Sequence, residues 1–138
     1  MKNELVVKSN SMINASYNLE VTEQRLILLA IIRARNHQQG ITAESKLEIH
    51  ASDYANEFSV SKDAAYKALK EGVNNLFERQ ISFKEKHRDT GKIGIVRSRW
   101  VSRIKYVDEL AILEITFAPD VVPLITRLES QFTSYQIK

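Results

Sequence analysis

The stretch "RLILLAII", residues 25–32, constrains the fold of this 138-residue chain more than any other. From Leu26 to Ile32 it is apolar on every side of a helix, so no polar face remains to be turned to water. Such a helix has to be surrounded by other elements, and one domain of this length can bury it. The run falls short of the ~18–20 apolar residues that span a bilayer, and Arg25 and Arg33 bracket it. Thr22 is placed to cap this helix, with Glu23 favourable in its first turn, and the pattern runs to about Asn36 before a loop closed by Gly40. The preceding "KSNSMINASYNL" reads as a short helix capped by Ser9 or Asn10 and reaching about Ser16. Uncharged, free of proline and rich in β-branched residues, "LILLAII" also has the composition of a segment that pairs as strands once exposed.

Further along, "KLEIHA" (46–51) alternates like a short strand, and "SDYANEF" (52–58) reads as a short helix capped by Ser52. After "SVS", residues 61–79 form the clearest helix. Ala65, Ala68, Leu69, Gly72, Val73, Leu76 and Phe77 recur at helical spacing, with Lys62, Lys67 and Lys70 on the other side. Two helices joined by a tight turn, the second amphipathic and cationic near its start, make a helix-turn-helix pattern. From Gln80 the period becomes two: Ile81, Phe83 and Glu85 oppose Ser82, Lys84 and Lys86. "HRDTGKIG" is a hairpin loop with Gly91 and Gly94 at its tip, and residues 95–107 return as one long strand. "ELAILEITFA" (109–118) is a further strand, and Asp120 caps a last helix with Pro123 in its first turn. A helix-turn-helix followed at once by a basic hairpin is the winged-helix order, and the predicted fold is α+β, with about five helices around a small antiparallel sheet and one long hairpin wing.

The formal net charge is only +3, but residues 79–105 hold nine cations against two anions, Glu85 and Asp89. A local excess of that kind attracts polyanions, while a solvated hairpin face is the plainer alternative. Enzymatic chemistry finds no support. His37, His50 and His87 are scattered, without HExxH or paired carboxylates, and "DTGKIG" lacks the second glycine and the Lys-Ser/Thr pair of a phosphate loop. With no cysteine there is no disulfide framework and no thiolate metal site. No catalytic residue, metal or cofactor is therefore assigned. "MKNELVV" lacks the apolar core and cleavage site of a secretory signal, which makes the cytoplasm the expected location, without membrane association.

Several of these stretches occur in one known family. "ELVVKSNSMINASYNLEVTEQRLILLAI", the W-V-x-x-I-x-Y pattern at residues 100–106, "ITFAPDVVPLITRL" at 115–128 and the final "QFTSYQIK" resemble, in order, the initiator Rep proteins of iteron-controlled plasmids. The resemblance covers essentially the whole chain. It implies two winged-helix domains in tandem, of which residues 1–138 would be the first and a second would begin near 132. In that family the second domain makes the principal base-specific contacts with the iteron. The first contacts neighbouring DNA in the monomeric initiator and forms the dimer interface in the repressor. Expected partners are then double-stranded origin DNA (iterons and operator), a second copy in a homodimer, and the host replication initiator and helicase. Autorepression of the initiator's own gene is a further expectation. "LVVKSNSMINASYNL" resembles the family's first helix, lying across the buried one.

Ser61, Lys62, Tyr66, Lys67 and Lys70 on the second helix, with Lys86, Arg88 and Lys92 on the wing, are the expected DNA contacts, mainly to phosphates. A dimer interface is expected at Trp100, Glu109, Ala111, Leu113, Ile115 and Phe117, because "ELAILEITFA" reads as an apolar edge strand without proline or lysine. On that basis Leu113 would face the partner and Ile112 the core. Two alternatives remain: a self-association module with little DNA binding of its own, and an unrelated winged-helix transcriptional repressor.

Overall fold

In the computed structural model, which describes residues 8, 10–11, 14–16, 18–125 and 127–129, the apolar stretch forms the middle of helix α1 (Val21–Asn36). Leu26, Ile27, Leu28 and Ala30 are fully buried, and Ile31 and Leu29 nearly so. Helices α2 (Ala51–Phe58) and α3 (Lys62–Glu78) and strand β1 (Leu47–His50) pack around it. Residues 8, 10–11 and 14–16 are helical and precede α1, so Asn10 lies inside that helix and does not cap it, while Ser9 falls outside the described residues. Gln24, itself buried, ties the two helices by donating to the carbonyls of Ser16 and Leu19, each at 3.1 Å.

The cap of α1 is Glu20, not Thr22. The Glu20 amide donates to Glu23 Oε1 at 3.0 Å, and the reciprocal pairing of the two glutamates satisfies amides that the threonine would have served one at a time. Likewise α2 starts at His50, two residues before the expected Ser52. Strand β1 passes into the helix without a loop, and the Ala51 amide donates to the Ala111 carbonyl at 3.0 Å. Ser59 ends α2 in the left-handed region (φ 54°), and Ser61 caps α3 by accepting from the Ala64 amide at 3.1 Å, so the turn between the helices is only three residues long. Gly72 lets α3 approach α1 closely: a Cβ there would lie 2.4 Å from Leu26 Cδ1.

Two antiparallel sheets complete the fold. Strands β2 (Gln80–Lys86) and β3 (Ile93–Arg99) form the hairpin, and β1, β5 (Ile112–Phe117) and β4 (Val101–Val107) form a three-stranded sheet in the order β1-β5-β4. The long strand expected over 95–107 is thus two strands, broken at Trp100, and the return begins at Ile93, with Gly94 paired to Glu85 and not at the loop tip. The break arises because Trp100 is pulled into the core, 1% exposed, its amide donating to the Arg79 carbonyl and its carbonyl accepting from Ala118. The chain leaves one sheet and enters the other at that residue. Strand β5 is shorter than expected, since residues 108–110 form a 3-10 turn and Ala111 is left-handed (φ 52°). At the C-terminal end a 3-10 turn (Val122–Leu124) leads into helical residues 125 and 127–129. Asp120 does not cap it; its carboxylate accepts from Lys8 Nζ at 2.9 Å, holding the first helix to this corner. Helices around small antiparallel sheets, with a helix-turn-helix and a wing, are the α+β winged-helix architecture the element order predicts.

Candidate nucleic-acid interface

Helix α3 buries Ala65, Ala68, Leu69, Gly72 and Leu76 and turns its other side to solvent. Lys62, Lys67 and Lys70 are exposed on that side, and Tyr66 is 41% exposed among them. The Ser61 hydroxyl is engaged as the helix cap, so it positions the first turn as much as it faces outward. Lys70 leans toward Asp108, Nζ to Oδ1 3.6 Å, an exposed pair that a polyanion could displace at little cost. Beside it the Tyr106 phenol is held above its usual range, first by burial and then by the Asp108 carboxylate.

Lys86, Arg88 and Lys92 lie at the far end of the hairpin and are exposed. The tip is a built turn: Gly91 adopts φ 72°, its amide donates to the His87 carbonyl at 2.9 Å, and the His87 amide donates to Lys92 at 2.7 Å. Strand alternation divides the hairpin into two faces. Ile81 and Phe83 are buried, with Lys8 Nζ 4.8 Å from the Phe83 ring centroid, and form the inward face with Val96. The outward face pairs Gln80 with Arg99, Ser82 with Arg97, Lys84 with Ile95 and Lys86 with Ile93. Lys84, Arg97, Arg99 and the two isoleucines were therefore missing from the sequence-derived site. The strand period together with the turn at 88–91 sets this register and would have revealed them.

The expected residues thus fall into two groups, four on α3 beyond its cap and three at the wing tip, on elements that meet through Arg99. Its Nη1 donates to the Phe77 carbonyl at 2.6 Å, and its guanidinium lies 4.6 Å from the Phe77 ring centroid. Arg99, whose Nη1 also lies 3.7 Å from Glu78 Oε2, therefore joins the last turn of α3 to the outward face of the wing.

The expected edge strand is corrected. Strand β5 is central, hydrogen-bonded to β1 on one side and β4 on the other, because its apolar alternation serves the helix-facing side of the sheet. Leu113, Ile115 and Phe117 are fully buried and Trp100 almost so, hence none of the four presents a surface to a partner, whereas Glu109 is exposed and Ala111 half-buried at one corner. The outward face carries Ile112, Glu114 and Thr116 of β5 between Glu48 and His50 of β1 and Arg103, Lys105 and Val107 of β4. There Glu114 accepts from Arg103 Nη1 at 2.6 Å with Lys105 Nζ 3.6 Å away, and Arg103 above all holds the Glu114 carboxyl below its usual range. Among the described residues no group of three or more His, Cys, Asp or Glu could hold a metal ion, and no helix is long and apolar enough to cross a membrane.

Residues 5–138 match the family model described as initiator replication protein, WH1. The chain is 56% identical to the crystal structure of the MSBI1.176 WH1 domain, a replication protein isolated from a multiple sclerosis patient, with a TM-score of 0.88 over 94% of this chain and 97% of that one. It shares its fold with the Pi initiator protein, solved in complex with iteron DNA, at a TM-score of 0.65 and 20% identity over 86% of this chain and 48% of that one. An uncharacterised 27.6 kDa protein of Escherichia coli is 26% identical over 141 residues; the match spans 96% of this chain and 58% of that protein's length.

Proposed function

We propose that this chain, which belongs to the initiator replication protein family as a WH1 domain, binds double-stranded DNA at a plasmid origin through α3 and the outward face of its wing. The observation that carries this is the set of exposed cations on α3 (Lys62, Lys67, Lys70) and on the hairpin (Lys84, Lys86, Arg88, Lys92), set on a winged-helix frame. The Pi initiator, of the same fold, was solved with iteron DNA, which supports the same class of ligand here. Lysine and arginine suit phosphates because each neutralised phosphate releases condensed counterions. Double replacement of Lys67 and Lys70 by alanine should weaken binding to all duplexes alike. It should also flatten the log K versus log salt slope by about 0.9 per lost contact. An unchanged slope removes α3 from the interface.

The proposal extends to a homodimer that represses as well as initiates, formed over the outward sheet face with Glu109 and Ala111 at its rim. Ile112 and Val107, half-buried on the outward side of the sheet, favour this over an edge pairing. In the longer protein a second winged-helix domain would follow from about residue 132 and supply most base contacts. Host initiator and helicase would then be recruited in the bacterial cytoplasm.

A further inference from the structure

Ile95 is 73% exposed and Ile93 is 58% exposed, more than half of each side chain in water on the face of a strand. Both belong to the outward side of the wing, where Ile95 lies across from Lys84 and Ile93 across from Lys86, with Arg97 two residues further along. Two β-branched aliphatics held on a strand pair and flanked by cations match the chemistry of proteins that press apolar side chains between base steps while their basic residues hold the adjacent phosphates. Lipid and protein partners fit less well. Two side chains offer far less apolar area than a membrane-lying helix. They also fall well short of the roughly 800 Å² that each partner of a stable protein interface buries.

We propose that Ile93 and Ile95 are a wedge that enters the minor groove of duplex DNA, partly unstacks one base step and bends the helix away from the wing. The proposal rests on the DNA-binding reading above but assigns a separate task to separate residues: the lysines and arginines supply charge, and the isoleucines supply deformation. Unstacking is cheapest at flexible pyrimidine–purine steps such as TA, so the wedge also confers a preference at a position where no base edge is read by hydrogen bonds.

The test uses the 138-residue chain and two dye-labelled duplexes, one with a central TA step carrying 2-aminopurine and one with a central GC step. The parent chain should shorten the end-to-end distance and brighten the 2-aminopurine on the TA duplex. The variant Ile93→Ser/Ile95→Ser, confirmed folded by its thermal melt, should lose both signals, along with its preference for the TA duplex and roughly tenfold in affinity. It should keep the parent's salt slope, since the phosphate contacts remain. Lys84→Ala/Lys86→Ala should do the opposite, flattening the slope while the bound complex still bends. The wedge is overturned if the parent binds without bending or brightening, or if the isoleucine variant bends DNA like the parent. It is equally overturned if that variant changes only self-association in light scattering or binding to phosphatidylglycerol vesicles. Loss of all salt-dependent DNA binding in the parent would sink the DNA-binding reading itself, and is told apart from failure of the wedge alone by the slope.

Discussion

Glu23 is a carboxylate 1% exposed inside the domain, and its Oε1 accepts both from the Glu20 amide and from Arg79 Nε at 2.8 Å. Arg79 is the residue at which α3 ends and the wing begins, so this bond ties the start of α1 to the base of the elements proposed to meet DNA. The arginine is held further above its already high range chiefly by the hydrogen bond to Glu23. Arg79→Met should cost about 2 kcal/mol in urea unfolding, because it strands a buried carboxylate, whereas Glu20→Ala should cost well under half of that. Glu114 makes the pH dependence legible. Its carboxyl sits below the usual range because Arg103 bonds it, so the pair stabilises the fold above the unfolded-state value and that gain disappears as the pH falls through the folded-state value. Arg103→Gln should therefore melt below the parent at neutral pH and converge with it in acid. A gap of equal size at both would assign the loss to packing instead of charge.

At the scale of elements, the contact of α1 with α3 turns on Gly72. Alanine there gains about 1 kcal/mol of helix propensity but overpacks against Leu26, which is fully buried and has little room to turn. Gly72→Ala should thus be a net loss of about 1 kcal/mol, and adding Leu26→Val should recover part of it in the same melt. The helices were legible in the sequence because each announces itself locally: α1 by its unbroken apolar girth, α3 by its spacing and by Ser61. The sheet was less so. An apolar strand reads alike at an edge and at a centre, and only pairing with β1, which lies more than sixty residues earlier, puts β5 in the middle. Trp100 looked like one more strand residue because nothing local marks the carbonyl of Arg79 as the partner of its amide. The substitutions at 112 and 113 consequently exchange roles from the expectation of an edge strand. Leu113→Lys should unfold the chain by circular dichroism, and Ile112→Lys should leave it folded and, if the sheet face is the dimer contact, monomeric by light scattering. The proposed DNA site divides the same way, its α3 half visible from spacing and the outward face of its wing dependent on a strand register.

For the molecule as a whole, the uncharged "LILLAII" is harmless while α2, α3 and β1 enclose it, and a hazard otherwise. Leu28→Asp or Ile31→Asp should abolish fibre formation in a thioflavin assay while costing several kcal/mol of stability; fibres persisting in these variants would place the aggregating segment elsewhere. The enclosure of α1 also governs time. A helix gripped by three neighbours cannot be uncovered by loosening any one of them, so few half-open forms lie between the folded and unfolded chain. The amide protons of residues 26–31 should accordingly trade with deuterium only when the entire domain comes apart, and their protection should equal the global unfolding free energy. The wing tip, where residues 84–92 are all exposed, should meanwhile exchange orders of magnitude sooner, leaving that end free to adjust on a clock of its own while the centre stays shut.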